Sequence, residues 1–266
     1  MSLPHEAMAP EDDTLRPDPA RMYDYMLGGD HYLPVDRAAA QSLIDMYPTV
    51  GLTAKANRAF LLRAVRAIAE AGVDQFLDIG CGIPHAPNVH DVVREVRPGA
   101  KVVYVDASAV VLERIGASGP PEGVVGVQAD LRDSRTILEA AGRVLDLSRP
   151  VGLLLVAVLH FIREDEDIEG MIAALRDGLA PGSHLAMSVA CADEIPQDKI
   201  EFGKAAYQGA TRPIRPFPGD RIRGWFEGWD VLPPGLVQPS LWRPETDDPP
   251  YMEAREEVVG AAVLRA

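Results

Sequence analysis

The stretch Gln75-Phe76-Leu77-Asp78-Ile79-Gly80-Cys81-Gly82-Ile83-Pro84-His85 constrains this chain most. Its apolar run 76–79 predicts a buried parallel strand. The run ends in Gly80-Cys81-Gly82, where two missing side chains let the backbone turn sharply and approach a ligand. Past the turn, Asn88 is the expected N-cap of a helix over 89–96, in which Val89, Val92, Val93 and Val96 recur at helical spacing. Strand, glycine turn and helix together make a nucleotide-type pocket, because loop amides and a helix N-terminus attract negative charge.

The rest of the chain repeats that unit. Further strands are predicted over 101–106, 124–129, 151–158 and 184–190, and helices over 108–115, 134–141 and 167–178. The run 151–158 is apolar on both faces, as a central parallel strand requires. Such alternation with short connections predicts an α/β, doubly wound parallel sheet. Three regions follow. Residues 1–19, rich in proline and acid, read as a mobile tail. Residues 20–72 hold a tyrosine-rich segment with Gly28-Gly29 and helices over 35–46 and 54–71. Of these, the second has Phe60, Leu61, Ala64, Val65 and Ile68 on one side. Residues 73–266 carry the alternation. They finish with a helix over 196–210, a stiff crossing at Pro213, Pro216 and Pro218, a short helix over 220–227, and strands over 230–242 and 257–265 joined by the loop 243–250.

Composition excludes several classes. At 266 residues and 47% hydrophobic, the chain can build one large domain. Its 26 basic against 40 acidic residues, net −14, argue against a nucleic-acid partner. Cys81 and Cys191 cannot frame a disulfide scaffold, which predicts a reduced, cytoplasmic setting. No apolar run is long enough for a membrane span, and the start lacks the layout of a secretory signal.

Four carboxylates stand at or past predicted strand ends, where open α/β sheets bind ligands: Asp78, Asp106, Asp130 and Asp165. Asp106, 24 residues beyond Gly82, suits ribose hydroxyls, and Asp130 stands where an adenine amino group would be met. Each taken singly reads equally as a loop or cap aspartate. Three in register behind a glycine turn form a pattern. A dinucleotide fold needs a third glycine where this chain has His85. Asp78 would oppose a pyrophosphate but suits a cationic ammonium, so Asp-x-Gly-x-Gly fits S-adenosylmethionine (SAM) better than NAD. Cys81 reads as a small loop residue rather than a reactive thiol. His85 and His90 lack the Cys or acid that would complete a metal site, and none is expected. The run 163–167 reads as a solvated loop and helix start.

The blocks Ala20-Arg21-Met22-Tyr23-Asp24-Tyr25-Met26-Leu27-Gly28-Gly29, Ala56-Asn57-Arg58-Ala59-Phe60-Leu61 and 76–84 carry a resemblance. So do Asn88-Val89-His90, Val103-Tyr104-Val105-Asp106, Ala129-Asp130-Leu131-Arg132-Asp133 and Leu155-Val156-Ala157-Val158-Leu159-His160-Phe161. Together they resemble a class I, Rossmann-like SAM-dependent methyltransferase. More narrowly they resemble an actinobacterial, mostly uncharacterised family assigned to that activity, from about Arg16 to the C-terminus. The resemblance implies a seven-stranded sheet with its last strand antiparallel. It also implies an N-terminal helical lid, with the segment from Tyr23 to Tyr32 folded over the SAM pocket; by itself that segment reads equally as an aromatic cap on the core. Implied cofactor contacts are Tyr23, Gly28, Arg58, Asp78, Gly80, Gly82, Asn88, Asp106, Ala107, Asp130, Leu131 and Ala157. Among them Arg58 is set toward the methionine carboxylate, against the alternative of a helix-surface arginine. Pro84 departs from the pattern, standing where methyltransferases have their third glycine.

His160, after the fourth strand, is the candidate general base, or else a packed histidine. The expected activity is in-line methyl transfer from SAM to a small-molecule acceptor chosen by the lid and residues 191–225. Rivals are a non-catalytic SAM-binding regulator and an NAD-dependent oxidoreductase. Trp225, Phe226 and Trp229 read as exposed aromatics that leave room for a homodimer.

Overall fold

Short apolar runs become strands and the amphipathic stretches between them helices in the computed structural model, which describes residues 15–117, 119–163, 165–193, 195–246 and 259–266. Three helices open the fold: α1 (Pro19–Leu27), α2 (Pro34–Met46) and α3 (Val50–Glu70). Then come β1 (Gln75–Ile79), α4 (Val89–Val96), β2 (Lys101–Asp106), α5 (Ala109–Ala117), β3 (Val124–Gln128) and α6 (Ser134–Ala141). After these follow β4 (Gly152–Val156), α7 (Ile168–Asp177), β5 (His184–Ala190), α8 (Gln197–Gln208), α9 (Gly219–Gly224), β6 (Asp230–Val231) and β7 (Val259–Arg265).

The strands form one sheet in the order β3-β2-β1-β4-β5-β7-β6, in which β7 runs antiparallel to β5 and β6. Strands β1 to β5 are parallel, so every connection among them crosses the sheet through a helix. The order reverses between β1 and β4, which opens a crevice at the C-terminal ends of these strands. Alternation sorts β1 between two cores. Leu77 and Ile79 pack with Ile137, Leu153 and Ile172 on the side of α6 and α7. Phe76 packs with Phe60, Ile68 and Leu154 on the side of α3 and α4. Asp78 shares the parity of Phe76.

Residues 20–72 pack in two directions. The predicted apolar face of α3 is buried on the sheet. Helices α1 and α2 instead gather around Met22, Met26, Ala40 and Leu43 and meet Tyr207 and Ala210 at the end of α8. Asp18 caps α1 by accepting from the amides of Ala20 and Arg21, and Pro19 stands at the first turn, where its missing N–H costs nothing. Order therefore begins ahead of residue 20. Arg16 Nη2 donates to Ala210 O at 2.8 Å, Thr211 N to Pro17 O at 2.9 Å, and Thr211 Oγ1 to Asp18 Oδ2 at 3.1 Å. Residues 1–14, the bulk of the expected tail, lie outside the described residues, as do 247–258, which include part of the expected loop 243–250 and the first two residues of the strand expected over 257–265.

The C-terminal third departs from expectation. The predicted strand 230–242 shrinks to the two residues of β6, because Pro233 and Pro234 have no N–H to give a ladder and Gly235 turns with φ +94°. The predicted strand 151–158 stops at Val156, since Ala157 turns the chain away. Trp225, Phe226 and Trp229 are 3%, 8% and 7% exposed and belong to the core, with Trp225 Nε1 donating to Glu169 Oε1 at 2.9 Å. The cue for a homodimer is thereby removed. Among the described residues no helix is long and apolar enough to cross a membrane.

Candidate functional site

The turn after β1 is pinned to β2. The amides of Gly80 and Cys81 both donate to Val105 O, at 2.7 and 3.2 Å. Gly80 adopts φ +72° and Gly82 φ +66°, the left-handed region that favours glycine. At Gly80 space matters as well: a Cβ would lie 2.4 Å from Val158 Cγ2, a branched side chain that cannot swing clear. We expect Gly80→Ala to cost about 2–3 kcal/mol of stability, and Gly82→Ala, which meets nothing within 4 Å, only about 1 kcal/mol. Urea unfolding of both variants checks this; equal losses would show that Val158 yields.

Asp106 closes the turn from the neighbouring strand. Its Oδ2 accepts from Gly82 N at 3.1 Å and its Oδ1 from Ser108 N at 2.9 Å. Burial pushes this carboxyl up, and the two amides hold it partly back. Each oxygen keeps a second acceptor position. Asp106 lines a cleft together with Ile79, Gly80, Ala107, Asp130 and Leu131. The far wall of that cleft is Val158, Phe161, Ile162 and Arg212. Asp130 Oδ1 accepts from the amide and guanidinium of Arg132, both at 3.0 Å, and Arg132 in turn pairs with Glu166.

A second cleft lies across the glycine turn, lined by Arg58, Asp78, Gly82, Asn88, His90 and Tyr104 among others. Asp78 is 4% exposed, its carboxylate takes no hydrogen bond among the described residues, and its oxygens keep an opening to the cleft. Burial raises its pKa to about 7; Arg58 opposes the shift and Asp106 adds to it. A carboxylate so placed has lost most of its water without gaining a hydrogen bond, and it is open to a partner in the cleft. Arg58 Nη2 donates to the carbonyls of His85 and Pro87, the latter at 2.7 Å, so this arginine clamps the far end of the glycine turn; its buried Nε has no partner among the described residues. Asn88 caps α4, its amide donating to Asp91 Oδ2 at 2.8 Å.

A model of the S-adenosyl methyltransferase family matches residues 5–266. The chain belongs to that family. It is similar to a DUF574 family protein of Streptomyces avermitilis MA-4680: 36% identity, 95% of this chain and 98% of that one covered, TM-score 0.90. It is also similar to a candidate methyltransferase of Thermobifida fusca YX: 34% identity, 96% of each chain covered, TM-score 0.87. No curated protein matches. The sheet order is that of the class I methyltransferase fold, and the family is SAM-dependent.

Several expected members of the methyltransferase site stand elsewhere. Tyr23 and Gly28 line neither cleft: the Tyr23 hydroxyl donates to Ala54 O at 3.0 Å, and Gly28 is the left-handed C-cap of α1. Asp165 is paired with Arg163 at 2.7 Å on an exposed loop. Cys81 is held well above its ordinary pKa by burial and by Asp78 and Asp106, so it is no thiolate. Among the described residues no group of three or more His, Cys, Asp or Glu is placed to hold a metal.

His160, the candidate general base or else a packed histidine, is buried just past the end of β4. Its Nδ1 accepts from the amide of Ala190 at 3.2 Å, which leaves the proton of the neutral ring on Nε2. Burial pushes its pKa down to about 3. The ring is packed edge-on to Phe161 at 4.4 Å between centroids. Arg212 was missed by sequence reasoning; the only local signal is its place before Pro213 in a proline-stiffened segment.

Proposed function

We propose that this methyltransferase carries the methyl group of SAM in line to a small-molecule acceptor, with SAM held at the C-terminal ends of β1, β2 and β3. The observation that carries this reading is Asp78, a largely buried carboxylate with no hydrogen bond among the described residues, open to the cleft beside a glycine turn and matched to the cationic amino acid end of SAM. Asp106 would take the ribose hydroxyls through its spare acceptor positions, and Asp130 the adenine amino group, with Ala107 and Leu131 along the purine. Gly80 and Gly82 would lie against the methionine moiety. Bound SAM supplies a methyl group already activated on a sulfonium. The chain's own task is therefore to align an acceptor lone pair and exclude water, positioning that is worth about 7–11 kcal/mol. No protein base is required, in keeping with the packed ring of His160. Phe161, Ile162 and Arg212 would face the acceptor, under a cap of α1, α2 and α8. With no spanning helix among the described residues, the expected setting is the cytoplasm.

Calorimetric titration tests the reading. SAM and its demethylated product are expected to bind and NAD is not, and Asp106→Ala is expected to weaken binding at least a hundredfold. Because the cation requires ionised Asp78, affinity should fall toward tenfold per pH unit below about 7. Absence of SAM and product binding in a folded sample would sink the proposal. Multiple turnovers with any acceptor would separate an enzyme from a SAM-binding regulator.

A further inference from the structure

Strand β5 is apolar apart from its first residue, His184, and Ser188, which is fully buried. A hydroxyl in that position needs partners. It has two. Ser188 Oγ accepts from Ala157 N at 3.0 Å and donates to Asn57 Oδ1 at 2.6 Å. Asn57 Nδ2 donates to Tyr23 OH at 3.0 Å, and Tyr23 OH donates to Ala54 O at 3.0 Å. Donation therefore runs one way, from the end of β4 through β5 and α3 to α1, and closes on the backbone of α3 at Ala54. At its start lies Ala157, with φ +56°, a conformation that costs a residue bearing a Cβ and persists only where neighbours enforce it. The amide of Ala157 is held twice, by Ser188 Oγ and by Ser188 O at 3.0 Å. The cofactor cleft depends on this turn. Leaving β4 in the left-handed conformation lays Val158 on Gly80 and brings Phe161 and Ile162 into the wall.

We infer that Ser188 is a positioning residue for the SAM cleft, holding Ala157 in its left-handed turn, with Asn57 and Tyr23 holding Ser188 in place. Tyr23 then serves the cofactor through the backbone and without touching it. The inference rests on the proposed SAM site, but the hydrogen bonds can be tested apart from it.

The experiment pairs SAM titration with hydrogen exchange at the Ala157 amide, on wild type, Ser188→Ala, Tyr23→Phe and Ser188→Ala/Ala157→Gly. Ser188→Ala is expected to raise the Kd for SAM about five- to tenfold and to speed exchange at residue 157 by about the same factor. Tyr23→Phe, which keeps the ring, should do both to a smaller degree, about twofold. In the double variant glycine adopts the turn unaided, so most of the lost affinity should return while the amide stays poorly protected. A purely structural loss at Ser188 would show no rescue by glycine. Unchanged affinity in Ser188→Ala, or no recovery in the double variant, overturns the inference. Should wild type bind neither SAM nor its product, the cofactor reading falls, and the exchange rates alone decide whether Ser188 holds the turn.

Discussion

Asp78→Asn is expected to make the ligand-free protein more stable above pH 7 while removing most SAM binding. The two effects share one cause. A carboxyl whose pKa is raised from 3.8 to about 7 binds its proton more tightly folded than unfolded. Folding stability therefore falls as pH rises from about 4 to 7 and stays lower beyond, by about 4 kcal/mol at most. Asparagine carries no charge to desolvate and should recover about 2 kcal/mol of this at pH 8 and little at pH 4. The same change deletes the anion that the proposed cation needs, so affinity should drop at least a hundredfold and lose its pH dependence. Urea unfolding at pH 4 and 8, with calorimetry, checks both signs. A variant that is less stable at pH 8 and still binds SAM would show that Asp78 is an ordinary buried acid.

Asp36→Ala should produce the largest loss of stability among single changes outside the sheet, about 3–5 kcal/mol. Its side chain is fully buried, where it accepts from Asp18 N at 2.8 Å, Leu33 N at 2.7 Å and Arg21 Nε at 2.6 Å. Removing it leaves a buried guanidinium and two amides without this acceptor, and such groups cost far more unpaired than the pair contributes. Because these partners tie the start of α1 to the start of α2, the loss should show first as proteolysis within residues 15–50. Asp36→Asn keeps one acceptor oxygen and should lose about half as much. A loss below about 1 kcal/mol for Asp36→Ala would mean that the apolar contacts around Met22 and Leu43 suffice to seat the cap.

Some of this was legible in the sequence because it was local. The bounds of β1, α4 and β2 follow from apolar runs that end at Gly80, Asn88 and Asp106, and parallel topology then gathers strand-end aspartates on one rim. The clamp on the glycine turn, the tautomer of His160 and the burial of Trp225 depend on partners 27, 30 and 56 residues away. The link between Ser188 and Asn57 spans 131 residues. No periodicity records such pairings. Pro233 and Pro234 stop the strand predicted over 230–242 by a local rule that the apolar Val231, Leu232, Leu236 and Val237 around them do not override. The buried acids Asp24 and Asp36 carry no local mark in the sequence, because their burial is created by the fold of α1 on α2.

The bonds from residues 16–18 to 210–211 bear on how members of this family can be recombined. They sit one residue before Arg212, which forms part of the cleft wall. A chimera meant to transplant acceptor preference by exchanging α8 and the proline-rich crossing would break them unless the first helix travelled from the same parent. The two segments, almost two hundred residues apart in the chain, behave as a single inheritable module.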